Sequence, residues 1–145
     1  MTALSRRPSN DPHRKGWRVF YGDVQIGHIG ERAGVPIDVD QWGWSLSFYP
    51  GTEPDDGAGG TGATFEECRA AFERAWEELR PKLTEENFEV WRRERDRTAW
   101  KYRMHDLGLP MPTQTTTGWS KCFCGADIPI SCEEHIHTVH RGIGE

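Results

Sequence analysis

The sequence predicts an α+β fold: a three-stranded antiparallel sheet packed by an amphipathic helix, then a second helix and a small ββα tail. Trp42, Trp44, Leu46 and Phe48 alternate with smaller residues, which is the period of a strand with one buried face. Apolar residues then recur at helical spacing over residues 65–79. Near the C-terminus, short strand patterns and a helix carry a cluster of cysteines and histidines.

Aromatic residues offset a low apolar content of 35%. The chain has seven Trp, six Phe and three Tyr, and large aromatic side chains can build a core from few positions. The net charge of −5 provides no overall basic field for nucleic acid. Residues 1–15 lack the apolar core of a signal peptide, and no run of about 18 apolar residues occurs. We therefore expect a folded cytoplasmic protein with no membrane partner.

Two strands precede the Trp42 strand. Residues 17–21 and 24–29 have strand composition, and Gly22-Asp23 between them is a two-residue hairpin signal. Residues 50–63 follow the third strand as a glycine-rich loop.

This loop contains a match to the Gly-x-Gly-x-x-Gly dinucleotide fingerprint at residues 57–62. That fingerprint requires a strand directly before it in a parallel βαβ unit. Here the preceding strand ends well before the glycines and belongs to an antiparallel pattern, and Asp55 and Asp56 would repel a pyrophosphate. We expect no dinucleotide.

The first helix begins with Thr64 and Glu67 at capping-box spacing and ends near Arg80, before Pro81. Cys68 falls within its apolar stripe, so we interpret it as a buried thiol. The second helix begins after Thr84 and runs to about residue 104. Its weaker apolar face comprises Phe88, Trp91, Ala99 and Tyr102.

A basic stripe on the second helix is the candidate nucleic-acid site. Arg93, Arg97 and Lys101 recur every four residues, and Trp100 beside them could stack on a base. The favoured interpretation is a solvated face, eased by neighbouring glutamates.

The chain divides, on composition, into four segments. Residues 1–15 form a flexible, mildly basic arm, residues 16–107 an aromatic-rich α+β domain, residues 108–118 a linker, and residues 119–143 the tail.

The tail contains the strongest chemical signal. Three of the four cysteines and three of the six histidines lie within residues 121–140. Thiolate sulfur and imidazole nitrogen are preferred ligands of zinc, and a segment this short cannot bury enough apolar surface to fold alone. Clustered cysteines in a reducing compartment favour metal over disulfides.

Helical geometry selects two of the histidines. Ser131 and Glu134 have capping-box spacing, which predicts a helix from Cys132. On a wheel of 100° per residue, His135 and His140 flank an apolar stripe, whereas His137 falls on the polar side, in solvent.

The tail resembles the two-Cys, two-His zinc finger, a ββα unit with cysteines on a hairpin and histidines three to five residues apart on a helix. The resemblance implies Cys122, Cys124, His135 and His140 as ligands of one structural zinc ion, with Cys132 in the core. The cysteines, however, are separated by one residue rather than two to four, and ten residues rather than about twelve separate Cys124 from His135. A ligand set with Cys132 or His137, and a tail without metal, remain alternatives.

Two weaker resemblances concern larger parts of the chain. The three strands followed by residues 60–67 are similar to the βββα modules of HicB-type antitoxins. The whole chain is similar to uncharacterised bacterial proteins that join an aromatic-rich domain to a Cys-x-Cys-Gly…His tail, which implies no particular activity.

These observations predict a non-enzymatic binding or regulatory module with a protein partner. Four protein ligands would close the zinc coordination sphere. Glu133 and Glu134 at the start of the tail helix would repel phosphates, which disfavours DNA reading by the finger. A nucleic-acid-binding regulator is the alternative, and a small enzyme is the alternative of another class.

Overall fold

The structure, a computed structural model, describes residues 4–145. The first three residues of the predicted flexible arm therefore lie outside the described residues. The chain forms two compact units, of which the first ends at Trp91 and the second comprises Arg92–Glu145. No helix in the described part of the chain is long and apolar enough to cross a membrane.

The first unit contains an antiparallel sheet in which each strand pairs with the next along the chain. Within residues 4–145 it has five strands, so the prediction of three was too low. The strands are β1 (Leu4–Pro8), β2 (Gly16–Tyr21), β3 (Val24–Glu31), β4 (Trp42–Leu46) and β5 (Ala58–Gly62).

The strand β1 replaces part of the predicted flexible arm. It pairs with β2 along all five of its residues. The guanidinium of Arg6 lies 4.6 Å from the ring centroid of Trp17, and that of Arg7 lies 4.1 Å from the ring centroid of Phe20. Backbone pairing and these cation–π contacts stabilise a strand that has no alternating apolar pattern.

The strand β5 forms from the glycine-rich segment that was predicted to be a loop. It pairs antiparallel with β4, with Gly62 opposite Trp42 and Ala58 opposite Leu46. All residues of the dinucleotide fingerprint except Gly57 therefore lie in an edge strand of an antiparallel sheet rather than in a turn between a parallel strand and a helix.

The helix α1 (Phe65–Leu79) covers one face of this sheet, as predicted. Its N-cap is Thr64, whose Oγ1 accepts a hydrogen bond of 3.2 Å from the Glu67 backbone N–H. Trp44 packs edge-on against Phe72, with ring centroids 6.1 Å apart. Cys68 is fully buried in the same core, which confirms that part of its interpretation.

The helix α2 (Glu85–Asp106) contains the boundary between the two units, so the division falls inside a helix and not at the predicted linker. In the first unit, Phe88 is buried and stacks on Phe48 with ring centroids 5.5 Å apart. In the second unit, Trp100 and Met104 are buried, whereas Tyr102 of the predicted apolar face is 66% exposed.

The second unit adds a ββα arrangement to the C-terminal part of α2. It consists of β6 (Trp119–Lys121), β7 (Asp127–Pro129), which pairs antiparallel with β6, and α3 (Glu133–Val139). The predicted linker, residues 108–118, contributes Leu109 and Met111 to the packing of this unit. The ββα tail therefore shares one core with residues of α2.

The close approach of β3 to α1 gives a test of the first unit. A methyl group on Gly27 would collide with the Ser45 carbonyl oxygen and the Phe72 ring. We expect Gly27→Ala to lower the free energy of unfolding by about 1–3 kcal/mol, measured by chemical denaturation. Gly43→Ala is the control, because its new Cβ would lie 3.4 Å from the nearest atom, Arg32 Cγ. Equal stability of the two variants would contradict this packing.

Candidate metal centre

The turn between β6 and β7 positions the two cysteines. The Cys122 N–H donates to the Ala126 carbonyl oxygen at 2.9 Å, and the Gly125 N–H donates to the Cys122 carbonyl oxygen at 2.9 Å. Gly125 has φ +94°, a conformation that side-chain-bearing residues rarely adopt. This tight turn allows the sulfur atoms of Cys122 and Cys124 to reach the same site, although the spacing between them is shorter than in the two-Cys, two-His finger.

The helix α3 positions the two histidines. His135 lies within the helix, and His140 is its C-cap, with its backbone N–H donating to the Ile136 carbonyl oxygen at 3.1 Å. The two imidazole rings are 5.0 Å apart between centroids. Phe123 from the turn packs against His140, with ring centroids 4.7 Å apart.

The structure brings the four predicted ligands together. One ligand atom from each of Cys122, Cys124, His135 and His140 lies within 4.8 Å of all the others. Cys122 Sγ is 3.2 Å from His140 Nε2, and Cys124 Sγ is 3.6 Å from His135 Nε2. Tetrahedral zinc with Zn–S of about 2.3 Å and Zn–N of about 2.0 Å would place adjacent S and N atoms about 3.5 Å apart. The cluster is therefore one that could hold a metal ion.

The charge state of His140 suits this arrangement. Burial disfavours its charged form, and the nearby His135 adds repulsion, so the pKa of His140 lies below its usual value. The ring is consequently neutral near pH 7, which is the form that coordinates a metal.

The two alternative ligands, Cys132 and His137, are not part of the four-residue cluster. Cys132 is the N-cap of α3 and is buried in the core of the second unit, where burial, followed by the charge of Glu133, raises the pKa of its thiol. The His137 side chain is 18% exposed and its Nε2 lies 3.3 Å from the Glu133 carboxylate, so its prediction as a solvent residue was wrong. The capping box of Ser131 and Glu134 is not formed either, because the helix begins one residue later than predicted.

Trp100 of α2 lies directly behind the cluster. Its side chain is 1% exposed, and its indole N–H donates to Cys122 Sγ at 3.3 Å. It therefore does not present a stacking surface to a base. The surrounding buried residues complete one apolar core: Met104, Ile128, Cys132 and Ile136.

Asp96 connects α2 to the segment after α3. Its side chain is buried, and its carboxylate accepts hydrogen bonds from the Gly142 N–H at 2.9 Å, the Gly144 N–H at 3.1 Å and Arg95 Nε at 3.0 Å. Burial alone would raise the pKa of Asp96, but these donors outweigh it and hold the pKa below its usual value. Asp96 is therefore a charged tie between two parts of the second unit.

Arg97 of the predicted basic stripe has a partner on α3. Arg97 Nε lies 3.1 Å from the Glu133 carboxylate, which also contacts His137. Arg93 and Lys101 are exposed on α2. Arg97 thus connects α2 to α3, and its positive charge offsets the negative charge of Glu133.

The buried roles of Trp100 and Asp96 were not predicted from the sequence. Both residues belong, with Met104, to a series spaced by four residues on α2, which is a helical face. The available signal was therefore two apolar residues preceded on the same face by a carboxylate.

Comparisons with protein-family models, curated proteins and solved structures find no match to this chain. What the coordinates define is a Cys2His2-like cluster on a β-hairpin and a helix, without an identified family.

Replacement of Asp96 by Asn tests the charged tie. The amide retains the shape but loses the charge that Arg95 and the two glycine N–H groups contact. We expect a loss of about 3 kcal/mol for the second unit and faster hydrogen exchange at the Gly142 and Gly144 amides. Asp106→Asn, at an exposed position of the same helix, is the control.

The same variant makes a pH prediction. Because the folded-state pKa of Asp96 is lowered, its contribution to stability is complete above its unfolded pKa and is lost as the pH falls through the folded value. We expect the stability difference between wild type and Asp96→Asn to be constant near neutrality and to shrink below about pH 3.9. Denaturation at several pH values measures it, and a difference that grows in acid would contradict the charged state of Asp96.

Proposed function

We propose that the second unit is a zinc-stabilised, non-enzymatic interaction module. The observation that carries this proposal is the convergence of Cys122, Cys124, His135 and His140 to within 4.8 Å. Two sulfur and two imidazole donors at this spacing suit zinc, whose structural sites are almost always four-coordinate and tetrahedral. Its binding would stabilise the folded tail, because the unfolded chain has no preformed site.

A structural role for the ion follows from the number of ligands. Four protein donors fill a tetrahedral sphere and leave no position for water or substrate. Glu133, which would otherwise be a candidate base, is engaged with Arg97 and His137. These features support a binding module over a hydrolytic enzyme.

Exposed apolar side chains support a protein partner. Trp119, the first residue of β6, is 55% exposed, and Ile130, directly after β7, is 59% exposed at the same open end of the hairpin. Val139 on α3 is 59% exposed. Aromatic side chains are enriched in protein interfaces, so Trp119 is the candidate contact residue.

The metal content of the purified protein tests the zinc proposal. We expect about one zinc ion per wild-type chain and a large loss of zinc in Cys122→Ser, because three remaining donors leave the sphere open. Elemental analysis with a protein assay gives the ratio. Cys68→Ala removes a buried thiol of the first unit and should leave the ratio unchanged. A zinc-free wild type with an ordered tail would refute the proposal.

Site-specific crosslinking tests the partner proposal. A photoreactive benzoylphenylalanine in place of Trp119 should give discrete protein adducts in cells, whereas the same group in place of the exposed Glu77 on α1 should not. Equal adduct yields at the two positions would contradict a docking surface at the hairpin.

Nucleic-acid binding by the basic stripe is the rival outcome. Three phosphate contacts would give a slope of log affinity against log salt of about −2.7, from about −0.9 per contact. A gel-shift series over salt concentration, with an Arg93, Arg97 and Lys101 triple alanine variant, measures it. We expect no such slope, since Arg97 already pairs with Glu133.

A further inference from the structure

The two cysteines of the cluster have different surroundings. Cys122 is 3% exposed and receives the indole N–H of Trp100 at 3.3 Å. Cys124, two residues away on the turn, is exposed. A tetrahedral ion would therefore be bound by one enclosed and one exposed sulfur.

An indole N–H beside a sulfur has a chemical consequence. A hydrogen bond to a charged acceptor is about twice as strong as one to a neutral acceptor, so the Trp100 indole N–H would stabilise the sulfur of Cys122 when it is bound to a metal ion. Groups that hydrogen-bond to metal ligands fix their orientation, and their loss commonly reduces metal affinity about 10- to 100-fold.

The contact between Trp100 and Cys122 joins two separate elements of the second unit. Trp100 belongs to α2, outside the ββα tail that contains the four ligands. The next buried residue of the same face, Met104, lies in the same core. The metal ligands and the C-terminal part of α2 are thus joined by one hydrogen bond and one continuous apolar contact.

We propose that Trp100 is a positioning residue of the metal centre: its indole N–H orients the enclosed sulfur of Cys122 toward the ion and couples metal binding to the order of α2, while the exposed Cys124 is the reactive sulfur. This inference rests on the proposed zinc site. It identifies a ligand-supporting residue outside the Cys2His2 set and a site of covalent modification within it.

Modification at Cys124 has a defined chemistry. With iodoacetamide, the sulfur electron pair of Cys124 forms a bond to the methylene carbon, and iodide leaves with the electrons of the carbon–iodine bond. The resulting thioether is a poor ligand, so the ion is released. Exposure decides which of the two sulfurs the reagent reaches, and it favours Cys124 over the enclosed Cys122.

The main test replaces Trp100 by Phe, which retains an aromatic ring and removes the N–H. Competition with a chelator should show zinc affinity reduced about 10- to 100-fold. Trp76→Phe is the matched control: Trp76 is also buried, but its Nε1 has no hydrogen-bond partner among the described residues. Its zinc affinity should equal that of wild type.

A spectroscopic measurement separates positioning from packing. In the cobalt-substituted protein, loss of the N–H should shift the sulfur-to-cobalt charge-transfer band to lower energy, because a thiolate without a donor releases electrons more readily. A band at the wild-type position together with unchanged zinc affinity would overturn the role of Trp100. Mass spectrometry of the alkylated zinc protein should find Cys124 modified first, and Cys122 modified first would overturn the assignment of the reactive sulfur.

If Trp100→Phe does not fold, a measurement on wild type tests the hydrogen bond between Trp100 and Cys122 directly. In protein loaded with NMR-active cadmium, one indole proton should show scalar coupling to the metal through the N–H···S contact, and its absence would overturn the proposal. If wild type binds no zinc, cobalt or cadmium, the zinc site itself is refuted. If wild type binds metal and Trp100→Phe binds it equally, the zinc site stands and only the inference on Trp100 fails.

Discussion

The C-terminal tail is too small to enclose a core with its own residues, and this constraint shapes the whole second unit. Its two three-residue strands and seven-residue helix bury only a few apolar side chains. A segment of this size cannot offset its conformational entropy by burial alone. Trp100 and Met104 of α2 supply the missing apolar surface.

Apolar contact and charge act together in joining the tail to α2. Trp100 reaches Cys122 from behind the cluster, while Asp96, one turn earlier, accepts the backbone N–H groups that follow α3. A carboxylate with three donors is stable in a buried position because its hydrogen bonds replace those of water. A bound metal ion would therefore stabilise a tail that already packs against α2. An isolated zinc finger, in contrast, has only its own residues and its metal ion to hold it folded.

The helix α2 serves two cores in succession. Phe88 and Trp91 pack in the first unit, and the residues from Arg92 onward belong to the second. A helix that changes its buried face along its length has no single apolar stripe. Its weak apolar periodicity therefore reflects two separate packing surfaces rather than an exposed helix.

Local spacing was sufficient to predict α1, its Thr64 cap and the central strands, because in each of these the signal lies within a few residues of the feature. The convergence of the two cysteines with His135 and His140, which are 11 and 18 positions away, was implied by the resemblance to the two-Cys, two-His finger. The edge strands β1 and β5 gave no such signal, since backbone pairing with neighbouring strands creates them. Trp100 and Asp96 acquire their roles from residues 22 and 46 or more positions away, and packing at that separation is not encoded in any local pattern.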